Sequence, residues 1–180
     1  MSAPDKIAST IHYGFKRISP ANVTELDNQP PHLFPKPNKK WVQECLKPQL
    51  DASVPDEVAF LYEAARGAMV YGQFFQPLTT LATEQCYRVL EAGARRRCAD
   101  LGLLKPKRGK DKSLQIVGFA EILKALTTAG KIPKADLEYW PGMLFLRNRF
   151  SHPTSQSISA PKTALGVVAF TAGLLNRLFK

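Results

Sequence analysis

The sequence predicts an all-α fold: a small bundle of about five helices behind an extended, proline-rich N-terminal arm. Three observations carry this expectation. Through most of residues 55–180, apolar side chains recur at helical spacing. No segment alternates with period two over a convincing length. Prolines and glycines stand where each helical pattern begins or stops. The 180 residues are 44% hydrophobic and 22% charged, which allows a sizeable core and argues against wholesale disorder.

Seven of the 14 prolines fall before residue 54, among them Pro30, Pro31, Pro35 and Pro37. Proline lacks a backbone donor and biases its predecessor away from helix, so residues 1–54 read as an arm and 55–180 as the helical domain. A short helix fits Lys40 to Leu46, and Leu33, Phe34 and Trp41 could pin the arm to the body. Pro55 opens the first long helix, with Asp56 and Glu57 where the helix dipole favours acids. Val58, Leu61, Tyr62, Ala65, Met69 and Gly72 then share one face. Pro77 opens a second helix running to about Leu101, with Leu78, Leu81, Ala82, Val89 and Leu90 inward. Its outer side pairs Glu84 with Arg88 and Glu91 with Arg95, and Gly102 stops it.

Lys105 to Lys112 is then a basic loop. Ser113 can cap a third helix carrying Ile116, Phe119, Leu123 and Leu126 and ending at Gly130. Pro141 starts a fourth, short helix that stops before Pro153. The fifth, from about Pro161 to Phe179, is apolar around most of its circumference and belongs deep in the bundle or at an interface.

The formal net charge of +10 is unevenly spread, and residues 105–112 hold five cations against one anion. A polyanionic partner fits that pattern, and a solubilising surface fits it equally well. The longest apolar run, Ala164 to Leu175, is too short to span a bilayer, and no secretory signal is visible at the N-terminus. Cys45, Cys86 and Cys98 form no CxxC pair and no metal-ligand cluster with the three histidines. These features lead us to expect a cytoplasmic protein with reduced thiols, no membrane association and neither metal nor cofactor.

The segment Leu146-Arg147-Asn148-Arg149-Phe150-Ser151-His152-Pro153 places an arginine, an amide and a histidine within six positions. Arginine offers a planar fork of donors suited to phosphate, histidine moves protons near neutral pH, and Asn148 can both donate and accept. Spacing alone does not unite them. Arg147 and His152 lie about 140° apart around an ideal helix, and ordinary capping of a helix end accounts for both.

Arg147-Asn148-Arg149-Phe150-Ser151-His152 resembles the R-polar-x-x-x-H signature of the HEPN superfamily (higher eukaryotes and prokaryotes nucleotide-binding). The setting is similar too, with the motif on a late helix of a small bundle and one more helix after it. The stretch from Phe75-Gln76-Pro77-Leu78 to Arg88-Val89-Leu90-Glu91-Ala92 resembles the long second helix of bacterial members, and the likeness covers about residues 55–180. It implies a dimer in which two motifs share a cleft. It also implies a metal-independent endoribonuclease that cleaves RNA through the neighbouring 2′-hydroxyl, in a defence, stress or toxin–antitoxin setting. His152 would handle the proton, Arg147 would steady the phosphate, and Asn148 would orient one of them or the substrate. Arg149 is auxiliary at most. A protein antitoxin is a further implied partner. Members controlled by tyrosine modification carry a tyrosine two residues beyond the histidine, where this chain has Thr154, so that form of control is not expected. Some members do not cleave, and the alternative reading is a silent helical module that binds nucleic acid or a protein.

In the leading reading Lys105, Lys107, Arg108 and Lys110 supply affinity for RNA rather than chemistry, with binding that weakens steeply as salt rises. Glu84 and Glu91, one heptad apart, could edge a cleft, although a salt-bridged helix surface explains them more simply. Arg95-Arg96-Arg97 reads equally as an RNA contact or a solvated helix end, and Trp140 as a packing anchor. The apolar surplus of the last helix predicts an obligate homodimer built mainly by that helix.

Overall fold

Proline stands at or just before the start of three of the six described α-helices. The computed structural model describes residues 39–104, 107–108, 114–115, 117–151 and 159–180. Helix α1 spans Lys39–Leu46, α2 Asp56–Tyr71 and α3 Pro77–Asp100. A two-residue strand β1 (Lys107–Arg108) pairs antiparallel with β2 (Leu114–Gln115). Then come α4 (Phe119–Thr128), a 3-10 turn at Lys134–Asp136, α5 (Tyr139–Ser151) and α6 (Pro161–Leu178). The fold is all-α. No helix among the described residues is long and apolar enough to cross a membrane.

Helix α3 is the axis of the bundle, with α2, α4, α5 and α6 all packed on it. Small side chains make this possible: Ala82, Cys86, Gly93, Ala94 and Cys98 are buried along its length. At Gly93 an added Cβ would sit 2.4 Å from a Leu175 methyl, so glycine sets the closeness of the α3–α6 crossing. Helices α3 and α4 both end on a glycine with φ of +63°, at Gly102 and Gly130. In each case the next amide donates back into the last turn, Leu103 to Cys98 O at 2.9 Å and Lys131 to Leu126 O at 2.9 Å.

Residues 39–54 are fastened to this body. Cys45 is buried, and the Trp41 indole donates to the Met69 carbonyl at 3.2 Å. The Asp51 amide donates to Asn176 Oδ1 (2.8 Å), while Asn176 Nδ2 donates to the Gln49 carbonyl (3.0 Å). Trp41 therefore pins as expected, whereas Leu33 and Phe34 lie outside the described residues. All three cysteines are free and buried, and burial pushes the Cys45 thiol up to about 11 and the Cys86 thiol to about 12.

Several local expectations need correction. The third long helix starts at Phe119 rather than Ser113, because the backbone of Leu114 and Gln115 is engaged in the ladder with β1. Helix α5 begins at Tyr139, two residues before Pro141, which sits in the first turn where a missing N–H breaks no intrahelical bond. Pro55 is the residue before α2 rather than its first. Leu81, expected inside, is 52% exposed, because it lies on the outer face with Arg88, seven positions on.

Helix α6 is deep in the bundle, one of the two places expected for it. Ala164, Val168, Ala172, Leu174, Leu175 and Leu178 are buried within the chain, and Phe170 meets the Tyr139 ring edge-on at 5.2 Å. Its apolar circumference is mostly consumed by its own bundle, so the surplus that suggested a dimer through α6 shrinks to a strip around Leu165, Gly166, Val167 and Ala169.

Candidate functional site

Helix α5 is held against α3 at two points, and these place the motif. Phe150 stacks on Tyr87 with centroids 5.5 Å apart and planes 17° apart. One helical turn along α3, Glu91 Oε2 accepts a hydrogen bond from Arg147 Nε at 2.6 Å. The partners are four apart on α3 and three apart on α5, so each pair lies along one helix face, and the helices run antiparallel here. Trp140, buried at the other end of α5, completes the attachment and acts as the anchor expected of it.

Arg147 is half-buried and its donors are divided. Nε serves Glu91, Nη1 donates to Asn148 Oδ1 at 3.3 Å, and Nη2 makes no hydrogen bond among the described residues. Glu91 is shared, since its Oε1 accepts from Arg95 Nη2 at 3.1 Å, and Arg95 Nη1 donates to the Val117 carbonyl at 2.9 Å. Two guanidinium groups thus surround one carboxylate, and the cluster keeps a net positive charge. An oriented arginine with open donors beside a surplus cation can receive a phosphate.

A narrow crevice beside the cluster is lined by Glu84, Tyr87, Arg88, Arg147, Phe150 and Ser151. Burial raises the Glu84 carboxyl above its ordinary value of 4.5, against the lowering effect of Arg88. The folded chain therefore holds this proton more tightly than the unfolded chain. Stability contributed at low pH is lost as pH rises from about 4.5 through the raised folded value. Glu84→Gln should thus be more stable than wild type at neutral pH, with a flatter pH dependence. Urea midpoints measured at acidic and neutral pH would show it, and an equal loss at both would contradict it.

Of the residues singled out by sequence, Arg147 and Asn148 are brought together. Arg149 is exposed on the same helix. His152 directly follows Ser151 and lies outside the described residues, as do Lys105 and Lys110. Lys107 and Arg108 are placed only as the backbone of β1. Each of the three consecutive arginines makes contacts within the chain: Arg95 bonds Glu91 and Val117, Arg96 pairs with Glu57 and Asp100, and Arg97 lies over the Phe179 ring. Glu91 is the residue that sequence reasoning undervalued. Its heptad relation to Glu84 was a visible signal, whereas its bond to a side chain 56 positions away was not. Compared with known proteins, the chain matches no family model, no curated protein and no solved structure. The functional reading therefore rests on the site itself.

Proposed function

We propose that this chain is a HEPN-type endoribonuclease that cleaves RNA through its own 2′-hydroxyl without a metal. The observation that carries the proposal is Arg147, oriented by Glu91 and Asn148, with donors open at the end of the helix that leads into His152. In the reaction the 2′-oxygen bonds to the adjacent phosphorus and the P–O5′ bond breaks, leaving a 2′,3′-cyclic phosphate and a 5′-hydroxyl. His152 serves the proton transfers, and Arg147 stabilises charge on the phosphoryl oxygens. Asn148 holds Arg147, and the cations of residues 105–110 supply affinity. RNA incubated with the protein in EDTA should yield cyclic-phosphate ends, and His152→Ala should not. Cleavage by His152→Ala at the wild-type rate would refute the assignment.

We further propose that two copies meet through α5 rather than α6. Only Trp140 of this helix is fully buried, while Phe145 is 63% exposed, three and four positions before the exposed Asn148 and Arg149. Sedimentation should find a dimer for the wild type and a monomer for Phe145→Glu, and a monomeric wild type that cleaves RNA would overturn the shared cleft. A cytoplasmic place in defence or toxin control, with a protein antitoxin, belongs to the same reading.

One observation favours the silent-module alternative. The Arg147 Nε is already committed to a carboxylate, as in an ion pair that only holds α5 to α3. RNA bound but left intact across pH would select that reading.

A further inference from the structure

The crevice beside Arg147 holds a second arginine that the chain leaves unused. Arg88 lines it, across from the end of α5 that carries Arg147 and Ser151. On α3 it stands four positions after Glu84 and three before Glu91, where either carboxylate could hold it. Neither does. Glu91 is taken by Arg95 and Arg147, and Arg88 acts on the Glu84 carboxyl only as a nearby charge. Among the described residues the exposed Arg88 makes no ion pair and no hydrogen bond. We infer that Arg88 and Arg147 form a phosphate site in this crevice, taking the anionic oxygens of an RNA backbone phosphate or of free phosphate. The extension to RNA rests on the nuclease reading, and the anion site itself does not.

Charge and surroundings both favour an anion here. Arg88, Arg95 and Arg147 meet only Glu84 and Glu91, and burial makes the Glu84 charge costly to keep. One flank of the crevice is the stacked pair Tyr87 and Phe150, with Tyr87 only 4% exposed. An apolar wall keeps water from that side of the guanidinium groups and strengthens what they hold on the other. The donors are suitable as well. Arg147 spends Nε on Glu91 and Nη1 on Asn148, which leaves Nη2, while Arg88 brings its whole planar fork. A fork of this kind matches two oxygens of one phosphate. Glu84 is the built-in competitor, because its ionised form repels the anion that the arginines attract.

Titrating the full chain with inorganic phosphate, at an ionic strength held constant with chloride, tests the site without need of cleavage. In protein labelled at the arginine nitrogens, the Nε–H signals of Arg88 and Arg147 are assigned through their lysine variants. Both should move together and saturate with one dissociation constant. The Arg96 signal, held by Glu57 and Asp100, should stay fixed. Arg88→Gln should weaken phosphate binding by roughly tenfold, the loss expected for one charge-assisted contact. Glu84→Gln should strengthen it by about twofold to fivefold, since a like charge is removed and the crevice keeps its shape. With single-stranded RNA, Arg88→Gln should raise KM by roughly tenfold at nearly constant kcat, the pattern of lost uniform binding. Phosphate that moves neither signal, or that binds Arg88→Gln as it binds wild type, overturns the site. RNA cleaved by Arg88→Gln at the wild-type KM overturns the extension to RNA. Phosphate held by both arginines in a protein that leaves RNA intact upholds the site and removes only the nuclease reading.

Discussion

Arg147→Ala should lower the rate of RNA cleavage at saturating substrate by about 10²- to 10³-fold, the usual loss when one donor to a developing oxyanion is removed. The fold should survive it. The side chain is 32% exposed and its pairing with Glu91 is that of a partly solvated ion pair, whose net worth is small. Glu91 also retains Arg95, so no carboxylate is stranded. Arg147→Lys is the informative companion. An ammonium can answer Glu91 but cannot also offer a second, coplanar edge to phosphate, so lysine should recover stability and little of the rate. Single-turnover kinetics alongside urea unfolding of both variants separates the two effects. If Arg147→Ala cleaves as wild type does, the arginine is a structural strut and nothing more.

The largest effect on stability should come from Trp140→Ala. The indole is 2% exposed at the start of α5, and truncating a buried aromatic of this size costs about 3–5 kcal/mol. That is a large fraction of the total stability of a domain. Among the described residues the indole N–H has no hydrogen-bond partner, so part of what tryptophan contributes is offset by an unsatisfied donor. Trp140→Phe removes that donor, keeps an aromatic ring, and should therefore cost much less than alanine. Denaturant midpoints would rank the three proteins. A small loss for Trp140→Ala would mean that the other contacts of α5, at Tyr87, Glu91 and Phe170, suffice to hold it.

Sequence reasoning reached far where the controlling signal is local. Pro77 and Pro161 open α3 and α6 because a residue without an N–H fits a position that needs none. Gly102 and Gly130 close α3 and α4 because they alone take a positive φ cheaply. It failed where partners come from afar. The ladder between β1 and β2 overrode the capping potential of Ser113, and four residues of strand are too few to show a period. The burial of α6 could not be told from an interface, because an apolar helix looks the same whether its partners belong to its own chain or to another. The site divided likewise. Arg147, Asn148 and His152 were visible as one short string, whereas Glu91 acquires its meaning only when α3 and α5 lie side by side.

The placement of α6 also bears on synthesis. It is the last of the described helices to leave the ribosome, yet it fills the long side of α3 and holds residues 49 and 51 through Asn176, across 127 and 125 positions. It also offers the Val168 carbonyl to the Tyr62 hydroxyl, 106 positions back, at 3.1 Å. Contacts so distant along the chain close late. Until α6 emerges, the nascent polypeptide carries α3 with its Ala82–Cys98 flank uncovered, an apolar surface that invites chaperones and aggregation alike. The helix bearing the arginine motif is translated before the bundle that holds it can shut. A ribosome halted ahead of Pro161 would thus display a sticky, unfinished chain, and emergence of α6 would end that exposure in one cooperative step.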